Sequence, residues 1–143
     1  MDRYTGNKPQ VAFIKGFGFK QGAIASSVAH DSHNVIAVGV SDEEIVEAIN
    51  MVIKEEGGIS IVCEQKKDIL PLPIAGLISE NKATLVAKKY KELNLTAKTL
   101  SNKLQAPYMT LSFMALLVIP ELKLSDKGLF DGKNFCFTQL FVS

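Results

Sequence analysis

Histidine and cysteine are scarce in this chain of 143 residues, which holds two of each. The cysteines, Cys63 and Cys136, stand apart in apolar stretches with no C-x-x-C spacing, which excludes a zinc ribbon and a dithiol redox motif. They are expected to be free, buried thiols of a cytoplasmic protein. Long apolar runs are missing as well. The longest, Phe113 to Ile119, is far too short to cross a bilayer, so no membrane partner is expected. Met1-Asp2-Arg3-Tyr4 leads into polar residues where a secretory leader would carry an apolar core, and no signal peptide is read there. There is no excess of charge of either sign. With 16 basic and 15 acidic side chains the formal net charge is +1, which argues against the basic face that a nucleic acid requires. What remains is 47% hydrophobic and 22% charged residues over the length of one domain, the composition of a globular protein with a real core.

The pattern along the chain mixes strand and helix signals. Val11-Ala12-Phe13-Ile14 reads as a strand ended by the turn Gly16-Phe17-Gly18. Gly22 to Ala29 and Val35 to Val40 are two further strands, apolar enough to be buried on both faces. Ser41 opens a helix with Glu44 as its capping-box partner; Ile45, Ala48, Ile49, Val52 and Ile53 share one face, and Gly57 is expected as the left-handed stop. Ile59 to Cys63 is the next strand, followed by a polar turn at Glu64 to Asp68 and an irregular or edge segment through Pro71 and Pro73. A second helix is expected from about Asn81 to Leu104, its core stripe running from Val86 to Leu104, with a weak point at Asn94-Leu95-Thr96. The stretch 109–119 reads as either a buried strand or a short helix, and Phe135 to Val142 as a final strand. The sum is α/β or α+β: a single compact domain spanning 1–143, with a mixed sheet packed by about two main helices.

Three constellations invite a chemical reading. Gly16, Gly18 and Gly22 fail the dinucleotide fingerprint, because the third glycine comes four residues after the second rather than three, and strand rather than helix follows. Both histidines fall in "SSVAHDSHN", where Ser26, Ser27, His30, Asp31, Ser32, His33 and Asn34 form the candidate substrate- or interface-facing loop. On a straight strand His30 and His33 would point to opposite faces; in a turn, which Asn34 favours, they can converge. A metal would then need a third ligand from Asp31 or a distant acid, so no metal site is assigned. The competing reading is structural: Asp31 and Ser32 hold backbone amides and fix a histidine tautomer. A Ser–His–Asp triad using Ser26 or Ser27 lacks the Gly-x-Ser-x-Gly elbow, and no catalytic residue is assigned.

Three blocks, "GFGFKQGAIASSVAHDSHNVIAVGVSDEEIVEAIN" (16–50), "LPLPIAGLIS" (70–79) and "PYMTLSFMALLVIPELKLSDKGL" (107–129), closely resemble the C-terminal domain of bacterial and archaeal adenine deaminases, of the amidohydrolase superfamily. The resemblance implies a part in hydrolysing adenine to hypoxanthine and ammonia, a purine-salvage reaction. In that superfamily a metal-activated water attacks the ring carbon that bears the amino group. The divalent metal (manganese, iron or zinc) sits among histidines and an aspartate of an N-terminal (β/α)₈ barrel. This chain has no barrel and no His-x-His pair, so the isolated chain is expected to be inactive and to carry no cofactor of its own. The implied partners are an amidohydrolase barrel domain or subunit and adenine, within an assembly open to homo-oligomers. The alternative is a stand-alone, non-catalytic module that binds a purine-like small molecule or a protein.

Overall fold

Alternating small and larger side chains make Ala-Ile-Ala-Ser a strand that can sit between two layers, and all four residues of β1 (Ala23–Ser26) are buried. The computed structural model describes residues 1–30, 32–64, 66–101 and 103–141. β2 (Ile36–Gly39), α1 (Asp42–Lys54), β3 (Gly58–Cys63) and β4 (Lys66–Pro71) follow in sequence. The four strands form one sheet in the order β2-β1-β3-β4, and every neighbouring pair is antiparallel, so the sheet is not mixed. β1 and β3 occupy the centre, which is why both are buried along their whole length.

Each face of this sheet carries helix. On one, Ala48 and Val52 of α1 pack on Ala23, Ala25 and Val62, where the alanines let the helix approach closely. On the other, Leu93, Ala97 and Leu100 of α2 (Ala83–Leu100) and Tyr108 and Leu111 of α3 (Pro107–Phe113) pack around Ile61. Tyr108 is buried and donates its hydroxyl to the Ser60 carbonyl at 3.0 Å, and burial pushes its phenol far up in pKa. A second antiparallel sheet, β5 (Leu122–Ser125), β6 (Gly128–Asp131) and β7 (Cys136–Thr138), completes the described chain. Its inner residue Phe130 meets Phe135 and Phe137 edge to face.

α1 begins where the sequence places it. The Ser41 hydroxyl accepts from the Glu44 amide at 3.3 Å, but Glu44 does not reach back to the Ser41 amide as a full capping box would. Its carboxylate instead accepts from the Ser41 hydroxyl and from the Gly22 amide at 2.9 Å, tying the helix start to the start of β1. At the other end the chain takes positive φ first at Glu56 (57°) and then at the expected Gly57 (142°). The Glu56 amide bonds the Ile53 carbonyl and the Gly57 amide bonds that of Val52, a Schellman closure. Gly57 is needed for space, since a Cβ there would lie 2.3 Å from the Gly76 Cα.

Several expected elements are differently placed. Residues 11–14 form no strand, and Val11 and Phe13 are exposed, because no described neighbour pairs with them. Of the expected polar turn, Lys66, Lys67 and Asp68 belong to β4, an edge strand where charged side chains reach water. β1 stops at Ser26, short of Ala29, because the next residues turn. α2 runs unbroken through Asn94-Leu95-Thr96, with the Thr96 hydroxyl donating to the Glu92 carbonyl inside the helix. Of 109–119, the residues to Phe113 are helix and the rest turns. Ile53 lies off the core face, half exposed. Cys63 is buried as expected, but Cys136 is exposed, since β7 is a short outer strand. No described helix is long and apolar enough to cross a membrane.

Candidate functional site

β1 and β2 are antiparallel neighbours joined by the residues that carry both histidines, so the loop lies at one end of the sheet. It is anchored where it leaves β1. The Ser27 hydroxyl is wholly buried, donates to the Gly76 carbonyl at 2.6 Å and accepts from the Gly58 amide at 2.8 Å. The Ser26 hydroxyl is also buried and accepts from the Val28 amide at 2.9 Å. Both serines are therefore occupied by backbone groups, and neither presents a free hydroxyl to the surface. They position the loop.

The chain then turns sharply. The His33 amide bonds the Ala29 carbonyl at 2.8 Å, and His33 is left-handed (φ 51°), a state uncommon outside glycine that histidine adopts more readily than most residues. Ala75, in the "LPLPIAG" block, is left-handed too (φ 55°). A single residue holds both: the Arg3 guanidinium donates to the His33 carbonyl at 3.3 Å and to the Ala75 carbonyl at 2.9 Å. The Arg3 amide donates to the Asn34 side-chain oxygen at 3.2 Å, so Asn34 is tied to the same strut. Gly76 makes room for it, because a Cβ there would lie 1.9 Å from an Arg3 nitrogen. Arg3 belongs to no local motif and was not among the candidates. The only trace of it in sequence is a glycine in a distant block.

The histidines do converge, as a turn allows. Their rings meet edge to face with centroids 6.5 Å apart, and His30 packs on Phe113 of α3 at 5.0 Å. The Nδ1 of His33 is buried with no hydrogen-bond partner among the described residues. Ser32 is exposed, His30 is half-buried, and Asp31 lies outside the described residues. The two imidazoles alone are one ligand short of a protein metal site, and Asp31, the third ligand the sequence offers, lies outside the described residues. No group of three or more histidine, cysteine, aspartate or glutamate side chains that could hold a metal occurs among the described residues, and a structural or catalytic site needs at least three protein ligands. What the arrangement does offer is a half-buried imidazole lying on a phenyl ring beside an exposed hydroxyl, a surface that suits a flat heteroaromatic ring or an aromatic side chain.

Beside this loop runs an open groove of about 970 Å³. It is lined by Ser32 and Asn34 of the loop, by β2, by Ile45 and Ile49 of α1 and Leu111 and Met114 of α3, and by residues 9–14 and 122–126.

The family model described as the adenine deaminase C-terminal domain matches residues 1–136. An adenine deaminase of Sulfurovum sp. (strain NBC37-1) is 57% identical over 138 residues, 96% of this chain and 26% of that relative. Adenine deaminases of Parabacteroides distasonis and Methanosarcina acetivorans are 51% and 52% identical over 142 residues, 99% of this chain and 26% of each relative. The chain thus spans about a quarter of the length of the curated relatives it matches. With the three quoted blocks brought together around one loop, and a match that runs through almost every residue, the chain belongs to the adenine deaminase C-terminal domain family.

Proposed function

We propose that this chain serves as the C-terminal domain or subunit of a cytoplasmic adenine deaminase, whose complete form hydrolyses adenine to hypoxanthine and ammonia. One observation carries the reading: relatives named adenine deaminase match nearly the whole chain at half identity or better while being about four times as long. The catalytic divalent metal belongs elsewhere in the complete enzyme, on an amidohydrolase barrel domain, because the described residues of this chain do not fit it. The loop formed by His30, Asp31, Ser32, His33 and Asn34 faces that domain. His30 on its Phe113 support is the surface placed to meet adenine or to order the mouth of the active site. Ser26 and Ser27 act one step back, by holding the loop at the end of β1. Arg3 holds His33 in its left-handed turn by bonding its carbonyl, which fixes the shape the loop presents.

Two measurements test this. The isolated chain, supplied with manganese, iron or zinc, is expected to release no ammonia from adenine. In a complete deaminase containing this domain, His30→Ala is expected to lower kcat/KM at least tenfold, about 1.4 kcal/mol, while costing the isolated chain no more than the about 1 kcal/mol of a half-buried side chain. Normal turnover of the His30→Ala enzyme would remove the loop from the active-site mouth. Adenine binding by the isolated chain, with no effect of the loop on any deaminase, would favour the stand-alone module.

A further inference from the structure

The sheet has two edges, and they are built differently. β4 carries Lys66, Lys67 and Asp68 and ends on Pro71, with Lys89 of α2 reaching over to Asp68. Charges and proline of this kind block the addition of another strand. β2 is Ile-Ala-Val-Gly, with no charge and no proline; among the described residues no named strand other than β1 pairs with it, and residues 9–14 and 122–126 line the groove beside it. The pairing with β1 settles which way its backbone points. The Val40 amide bonds the Gly22 carbonyl, so Val38 and Ile36 also turn their amides toward β1, while Val35, Ala37 and Gly39 turn theirs outward.

One of those outward residues already has a partner. The Met1 amino group donates to the Val35 carbonyl at 2.7 Å, and the Val35 amide donates back to the Met1 carbonyl at 3.1 Å. This reciprocal exchange is the signature of a hydrogen-bonded antiparallel pair. Met1 packs on the α1 side of the sheet, with Val35, as directly opposed residues must. Ala37 and Gly39, next along the same edge, have no backbone partner among the described residues and line the groove. Burial lowers the pKa of the Met1 amine, so the position is better suited to an uncharged peptide N–H than to an ammonium.

We propose that the β2 edge and its groove take a fifth strand, antiparallel to β2, formed by the polypeptide that runs into Met1 in the full-length enzyme. The register follows from the Met1–Val35 pair. The residue directly before Met1 lies opposite Ile36 and faces Leu111 and Met114; the residue two before lies opposite Ala37, exchanges backbone hydrogen bonds with it, and faces Ile45 and Ile49. The residues it faces, Leu111 and Met114 on one side and Ile45 and Ile49 on the other, are apolar, so the two residues before Met1 are apolar, while Lys123, Ser125 and Asp126 give the groove polar lining as well. The inference rests on the reading of this chain as the C-terminal part of a longer protein, whose relatives extend over about three quarters of their length outside the matched region. Through this strand the fold of the domain is joined to whatever precedes it by a ladder of backbone bonds as well as by a covalent link.

The test is hydrogen exchange on the full chain carrying the four-residue extension Thr-Val-Ile-Val before Met1, compared with the unextended chain and with Thr-Val-Pro-Val. The proline removes the amide that would donate to the Ala37 carbonyl. Amides of β1 and β3 serve as the control that the fold is intact. The expected result is at least tenfold slower exchange at the Ala37 and Gly39 amides with Thr-Val-Ile-Val, lost with Thr-Val-Pro-Val. Three results would overturn the proposal. One is unchanged exchange at both amides. Another is protection already present in the unextended chain and dependent on concentration, which assigns the edge to a second copy. The last is such protection abolished by Val11→Pro, which assigns it to residues 9–14. None of these readouts depends on ammonia release, so failure here leaves the deaminase reading standing, and failure there leaves this strand to be judged by itself.

Discussion

Ser27→Ala removes one oxygen and leaves two buried backbone groups without a partner. The Gly58 amide, 2.8 Å from the hydroxyl, and the Gly76 carbonyl, 2.6 Å from it, both take the Ser27 hydroxyl as their partner. Ser27 is 0% exposed, so water does not replace the lost oxygen at the surface. Each orphaned buried group costs about 1–3 kcal/mol, which puts the substitution at about 2–6 kcal/mol. At a urea dependence of about 2 kcal/mol/M the denaturation midpoint falls by about 1–3 M, readily measured by circular dichroism. The neighbouring serine is the internal comparison. Among the described residues the Ser26 hydroxyl bonds only Val28, two residues on, so Ser26→Ala is expected to cost about 1 kcal/mol. Equal and small shifts for both, within about 0.5 kcal/mol, would refute the reasoning. The Ser27 hydroxyl would then be free for chemistry rather than committed to anchoring the loop.

Other outcomes follow from the same geometry. Ser41→Ala is expected to cost about 1 kcal/mol in a denaturation midpoint through loss of the α1 cap. Leu93→Ala, wholly buried under the sheet, is expected to cost about 2–5 kcal/mol. Ile49→Ala, half-buried where it lines the groove, should cost about 1 kcal/mol by the same assay, in proportion to the smaller apolar area it loses. Burial raises the Asp68 carboxyl, but hydrogen bonds from Lys89, Lys66 and the Ile69 amide outweigh it and hold the group below the ordinary carboxylate range. Its stabilising contribution is therefore complete above the unfolded value of about 3.9 and is lost as pH falls through the lower folded value. Unfolding midpoints followed into acid should decline more steeply for the native chain than for Asp68→Asn.

Much of the local structure was legible before any coordinate. Ser41 with Glu44 places the start of α1, and the stripe through Leu93, Ala97 and Leu100 places the buried face of α2, because capping and helical periodicity act within a few residues of chain. The turn that brings His30 toward His33 was readable for the same reason. Other features depended on partners that a local pattern does not name. Val11 to Ile14 has the composition of a strand but has no described strand to pair with, whereas Lys66 to Asp68 looks like a turn and is a strand because β3 offers it a ladder. Cys63 and Cys136 sit in similar apolar stretches, yet only Cys63 lies in a strand sandwiched between layers. The loop shows the division most sharply. The sequence by itself determined that Ser26, Ser27 and the histidines stand together, and its blocks pointed to the family. Only the tertiary structure decided that the two serines face inward to backbone groups of β3 and the 71–79 segment, that Arg3 crosses from the N-terminus to brace His33, and that β2 is left with an open edge. Those are long-range contacts between residues dozens of positions apart, fixed by how three layers pack rather than by the preference of any single segment.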